Sequence, residues 1–217
     1  LARQVGDSSG DPDQFVEWAT SEPWLAKRQW LVVWANISGV LACLLLIAFV
    51  LSAIGLVPSI AFRWSLIGIA VLIGFNLLLT AAMLGPAHAI FSIAMANRRA
   101  VQNYAEIFAS ANWLPEPQQS DGFLVRIRGA MLDGDRSASE GMRALQKIAS
   151  AGGLRQSAGT FLLYLPLQCL FLWDVRVLKR LEQWQAEYVD QVPEWFEALG
   201  QLEALVSVAA LRDEYPT

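Results

Sequence analysis

The residues able to do chemistry are few and scattered. His88 is the chain's one histidine. An imidazole near neutral pH suits general-base work only with an acid or nucleophile in hydrogen-bond reach. None lies near it in sequence, so His88 reads as an interfacial or packed ring. Cys43 and Cys169 each sit inside an apolar run, where a lone thiol behaves as a small buried hydrophobe. Two such cysteines make neither a disulfide framework nor a zinc site. Gly152-Gly153 is not followed by Gly-Lys-Ser/Thr, so it is no phosphate loop. Serines and acids show neither a nucleophile-elbow nor a metal-ligand spacing. Arg126, Arg128, Arg143, Lys147 and Arg155 could form a weakly basic patch, but a solvated helix face is the plainer reading. The net charge of −4 argues against a large nucleic-acid footprint. Trp173, Trp184 and Trp195 fall at helical positions and read as core rather than as stacking platforms for bases. Glu203 reads as a surface charge, or alternatively as a contact to a following domain. No catalytic, cofactor-binding or metal-ligating residue is assigned, and this chain by itself is expected not to be an enzyme.

The elements that would carry any chemistry are dominated by two apolar runs. No formal charge occurs from Gln29 to Phe62 or from Trp64 to Asn97, 34 residues each. A bilayer core of about 30 Å needs about 20 helical residues at about 1.5 Å per residue. The runs predict a transmembrane hairpin over 29–97, with spans at about 30–54 and 64–84. Gly55-Leu56-Val57-Pro58-Ser59 forms the turn, Gly55 a plausible helix end and Pro58 a residue that cannot continue a helix comfortably. Trp24, Trp30 and Trp34 gather near the first span's start, where indole rings favour the interface. Lys27, Arg28, Arg98 and Arg99 lie at one end of the hairpin and only Arg63 at the other. By the positive-inside rule both termini are expected in the cytoplasm. The remaining partner expected from the residues alone is the lipid bilayer.

Outside the hairpin the chain is as charged as a soluble protein. Residues 1–28 read as a flexible start containing a short amphipathic helix from Asp13 to Ser21, with Phe15, Val16, Trp18 and Ala19 on its apolar side. Gly85-Pro86 either kinks the second helix or starts a new one. Residues 98–217 are expected to form a cytoplasmic helical core or lever region. There, a short helix covers Gly122–Met131, and Asp133-Gly134-Asp135 is a polar turn. Ser137 and Glu140 fit a capping box ahead of a stripe of Met142, Leu145 and Ile148, which ends at Gly152-Gly153. Phe161 to Trp173 is a third apolar stretch, too short for a comfortable span. It reads as a buried core helix, with a re-entrant or membrane-surface segment as the other reading. Leu178, Leu181, Trp184 and Tyr188 mark one amphipathic helix. Phe196, Leu199, Leu202, Val206 and Ala209 mark another, with Pro193 near its start. The fold class is all-α.

The stretch Leu172-Trp173-Asp174-Val175-Arg176, then Leu181-Glu182-Gln183-Trp184, then Trp195 through Ala209 resembles the segment that precedes the ATPase domain in MutS-family proteins. It is closer still to the membrane-anchored MutS-like proteins of bacteria. The resemblance implies an N-terminal transmembrane pair, a helical core and lever, and a C-terminal ABC-type ATPase that binds ATP and Mg²⁺ and pairs into a homodimer. It implies a bacterial inner-membrane location and a possible part in DNA mismatch repair. The family's nucleotide-binding residues lie beyond Thr217, so ATP and Mg²⁺ belong to a domain expected after this chain. No residue here matches its DNA-contacting positions. On this reading the chain is a fragment, and Leu202, Leu205, Val206 and Val208 pack the last helix. The alternative is a small membrane-anchored helical adaptor or scaffold with no ATPase or DNA role.

Overall fold

A computed structural model describes residues 12–96, 106–108, 114, 122–132, 136–155 and 158–214, without the side chains of Pro12, Gln14, Ser59, 84–96, Arg155, Ala158 and 212–214. Every regular element among the described residues is helical. In chain order these are α1 (Pro12–Thr20), a 3-10 turn (Ala26–Arg28), α2 (Gln29–Ala53), α3 (Ser59–Ala96), α4 (Phe123–Leu132) and α5 (Ala138–Gly152). A second 3-10 turn (Gly153–Arg155), α6 (Ala158–Phe171), α7 (Trp173–Tyr188) and α8 (Val192–Glu214) complete the order. The chain divides into two compact units. One holds Pro23–Met95 and Ser150–Glu182, the other Leu1–Glu22, Ala96–Ala149 and Gln183–Thr217. Helix α7 contributes residues to both.

The first unit is built on α2 and α3. Ala26–Ala53 and Ile60–Met83 are long and apolar enough to cross a membrane. A helix satisfies all its backbone groups internally, which hydrocarbon demands. The hairpin turn follows from Gly55, whose φ of +79° is left-handed backbone that glycine adopts without a Cβ clash. Leu56 N–H donates to Leu51 O at 3.0 Å and Gly55 N–H to Ser52 O at 3.2 Å. This paired closure satisfies carbonyls at the helix end. The Ser52 hydroxyl adds a bond to Pro58 O at 3.1 Å. The second helix begins earlier than expected, at Ser59 rather than Trp64. Pro58 pre-sets the backbone at its start, and Ala61 N–H donates to Pro58 O at 2.9 Å. Arg63 therefore lies in the first turns of α3, not in the loop. The backbone helix of α3 runs through Pro86 without a new start, as far as Ala96.

The second unit packs α1, α4, α5, α8 and the last turns of α7 around aromatic rings. Phe15, Trp18 and Ala19 of α1 are buried as the apolar face requires, and Val16 is half-buried. The Trp18 and Trp184 rings stack with centroids 5.9 Å apart. Trp195 and Tyr188 join them at 5.4 Å. The polar edges of this cluster are matched. Trp184 Nε1 donates to Gly141 O at 2.8 Å, and Gln185 Nε2 to Trp18 O at 2.6 Å. Ser137 caps α5 as its position suggests, accepting from Glu140 N–H at 3.4 Å. The Glu140 carboxylate lies 3.7 Å from Arg143.

Two expectations fail at the level of packing. The 161–173 stretch is not a buried core helix. Phe161, Leu162, Leu163 and Leu165 of α6 are exposed, Leu162 by 75% and Leu163 by 63%. Its buried line is Tyr164, Gln168 and Leu172, so only a narrow stripe faces protein. In α8, Trp195, Ala198, Leu199 and Leu202 are buried, but Leu205, Val206, Val208 and Leu211 are exposed, as is Ala209. The apolar spacing continues into this exposed half.

Candidate functional site: a polar cluster beside the apolar hairpin

The unit that carries the apolar hairpin also holds most of its buried polar groups. Asn76 of α3 is fully buried and uses three bonds. Its Oδ1 accepts from Trp34 Nε1 at 3.1 Å, and its Nδ2 donates to Ser38 Oγ at 3.2 Å and Cys169 O at 2.8 Å. Ser38 Oγ donates to Leu170 O at 2.9 Å. One turn along α3, Thr80 Oγ1 donates to Asn76 O at 2.7 Å and accepts from Gln168 Nε2 at 2.9 Å.

The target of these donors is the carboxyl end of α6. The last four carbonyls of a helix have no partner within it, and in an apolar setting each would carry a desolvation penalty. Cys169 O, Leu170 O and Phe171 O each receive a side chain from a different helix. Asn76 and Ser38 serve the first two, and Arg176 Nε serves Phe171 O at 2.9 Å. The chain then turns at Leu172, whose φ of +49° is the left-handed state that costs a non-glycine residue roughly 1–2 kcal/mol. Full burial of the Leu172 side chain offsets that strain. Gln168 reaches across the turn, and its Oε1 accepts from Asp174 N–H at 2.9 Å, capping the start of α7. Tyr164 Oη donates to Asp174 Oδ2 at 2.8 Å. One carboxamide thus joins α3, the end of α6 and the start of α7.

Arg176 completes the joint. Its Nη2 donates to Ala35 O of α2 at 2.8 Å. It passes over Gly39, where a Cβ would stand 2.7 Å from Nη2 and 3.4 Å from the Phe171 ring. Further along α7, Glu182 Oε1 accepts from Leu25 N–H at 2.6 Å. Burial pushes the Glu182 carboxyl above its ordinary range, against the opposing pull of the Leu25 and Trp24 N–H groups. The arrangement fixes helices α2, α3, α6 and α7 to one another. Among the described residues no group of three His, Cys, Asp or Glu side chains could hold a metal.

The residues singled out from sequence have separate local partners. The side chain of Arg155 lies outside the described residues. Arg128 Nη1 turns inward to Leu114 O at 2.6 Å, Arg126 lies over the Phe123 ring at 5.8 Å, and Arg143 faces Glu140. Trp184 and Trp195 are core, and Trp173 is half-buried with Nε1 on Ala151 O at 3.0 Å. Cys43 is exposed on α2, contrary to a buried thiol, and Cys169 is half-buried. Glu203 is exposed. The side chain of His88, the residues 97–99 that carry Arg98 and Arg99, and the turn 133–135 lie outside the described residues. Asn76, Gln168 and Arg176 are the residues sequence reasoning passed over. The signal was one carboxamide inside each of two apolar stretches. An open groove of about 860 Å³ lies between α4 and α8, bordered by Arg126, Arg136, Glu194 and Glu197 over Ile127 and Trp195. Its charges are of both signs. Comparison of the chain with protein-family models, curated proteins and solved structures finds no match.

Proposed function

We propose that this chain is the membrane anchor and helical arm of a MutS-like ATPase. The hairpin of α2 and α3 holds it in the bacterial inner membrane with both termini in the cytoplasm. The α8 helix leads into an ATPase domain in the same polypeptide. That domain, not this segment, binds ATP and Mg²⁺ and pairs into a homodimer. Any contact with DNA belongs to that larger assembly. The observation that carries the reading is the exposed apolar half of α8. Leu205, Val206, Val208 and Leu211 present a surface that water disfavours and that a following domain would cover. The resemblance over residues 172–209 says which kind of domain. The lysines and arginines at one end of the hairpin support the orientation.

The reading frame beyond Thr217 tests this directly. A phosphate loop ending in Gly-Lys-Ser/Thr within the next domain is expected. Its absence overturns the ATPase reading. A photo-crosslinker at Val206 that captures a different protein instead would replace it with a membrane-anchored adaptor.

A further inference from the structure

We propose that α6 lies in the plane of the membrane, sunk into the leaflet on the side where the hairpin's ends emerge, with its exposed apolar side chains in lipid. The inference rests on the reading of α2 and α3 as membrane spans. Helix α6 carries no charge over its 14 residues, about 21 Å at 1.5 Å per residue, which is too short to cross a core of about 30 Å. Yet Phe161, Leu162, Leu163 and Leu165 are exposed. Water is a poor medium for that surface.

Its depth follows from its hydrogen bonds. The far ends of the spans are Ala53 and Ile60. With these at the far edge of the hydrocarbon, Ser38 and Asn76 stand about 22 and 24 Å above it at 1.5 Å per residue. The near edge is at about 30 Å. The carboxyl end of α6, bonded to Ser38 and Asn76, is then about 6–8 Å inside the near edge. Helices that lie in the interface sink by about 5–10 Å. The direction follows from α7. Arg176 meets Ala35 and Glu182 meets Leu25, in reversed sequence order, so α7 leaves alongside the incoming chain. Helix α6 is bent by 85° from α7, which lays it across the spans. The apolar surface of α6 is continuous in kind with the lipid-facing residues of α2, such as Val40 and Leu44. Asn76, Ser38, Gln168 and Arg176 are needed because the end of a helix placed at this depth has no water for its carbonyls. Arg176, level with Ala35, reaches the interface itself.

The full chain, with Cys43→Ser and Cys169→Ala, is reconstituted in vesicles of phosphatidylcholine and phosphatidylglycerol. Single nitroxide labels are placed at Phe161→Cys, Leu162→Cys, Leu165→Cys, Val40→Cys and Arg143→Cys. Collision with oxygen and with a water-soluble nickel chelate then gives depth. Labels at 161, 162 and 165 are expected to favour oxygen at about 5–10 Å below the phosphates. Those at 161 and 165, one turn apart, are expected at equal depth, whereas a steep helix would separate them by about 6 Å. Label 40 reads lipid and label 143 reads water. Aqueous labels on α6 with lipid at 40 overturn the in-plane helix and leave the hairpin standing. Labels shielded from both reagents put a protein there instead, and unequal depths make α6 a steep segment; each overturns the proposal. An aqueous label at 40 overturns the hairpin reading itself.

Discussion

The close contacts at single residues set the sharpest expectations. A Cβ on Gly141 would collide with the Trp195 ring, while the same residue's carbonyl receives Trp184 Nε1. Gly141→Ala should cost about 1–3 kcal/mol, the range for overpacking a filled core. Trp195→Phe in the same background should recover part of that loss, which a double-mutant cycle in chemical denaturation would read as non-additivity. Asn76 is a different case, because its removal leaves donors and acceptors behind. Asn76→Leu strands Cys169 O and Trp34 Nε1 in an apolar setting. We expect a loss of about 1–2 kcal/mol, the scale of interhelical hydrogen bonds in membranes, measured by unfolding in mixed detergent micelles. Glu182 gives a pH signature. Its carboxyl is raised by burial, so the folded state holds the proton more tightly than the unfolded one. The stabilisation from that proton is complete below the ordinary carboxylate range and is lost as pH rises through the raised value. Glu182→Gln keeps an acceptor for Leu25 N–H without the buried charge. Thermal melts from acid to neutral pH should show the variant gaining on the parent as pH rises.

At the scale of elements, α8 is two helices in energetic terms. Its first half is clamped through Trp195, Ala198, Leu199 and Leu202 against its own unit, and its second half projects Leu205, Val206, Val208 and Leu211 into the surroundings. Leu199→Ala should cost about 2–4 kcal/mol, as buried leucines do. Val206→Lys with Val208→Glu should change this chain's own stability by less than about 0.5 kcal/mol. Melts of the three proteins check this, and a large loss in the double variant would mean that the second half is already covered. Helix α6 shows the complementary situation. Its carboxyl end is held by Asn76, Ser38 and Arg176, while Leu162 and Leu163 nearer its start are exposed.

For the whole molecule, the two apolar helices are consistent with membrane association, and the charges flanking them are the handle on orientation. Lys27, Arg28, Arg98 and Arg99 stand at one end and Arg63 at the other. On the proposed orientation, replacing the four by asparagine while adding lysines at Leu56 and Val57 should reverse the hairpin in a measurable fraction of molecules. Cysteine labelling at Pro58→Cys, from either side of sealed vesicles, reads the change. An unchanged labelling pattern would mean that packing, not charge, orients the hairpin.

The apolar runs, the Gly55 turn, the Ser137 cap and the stripes of α1 and α7 were legible because each is a local pattern. Run length sets a span, glycine takes left-handed backbone, a serine oxygen meets an N–H three residues on, and spacing of three or four marks a buried face. The sequence alone therefore determined that the chain is helical and has two stretches able to cross a membrane. It did not decide which apolar faces find protein. Leu199 and Val206 look alike in spacing, and so do Tyr164 and Leu163. Only the arrangement of neighbouring helices buries the first of each pair and leaves the second bare. The same holds for the polar cluster, since Ser38, Asn76 and the Gln168–Arg176 stretch are far apart in sequence and each is unremarkable alone. They act together because the last carbonyls of α6 have no partner within their own helix, and only the tertiary fold brings donors from three other helices to that point.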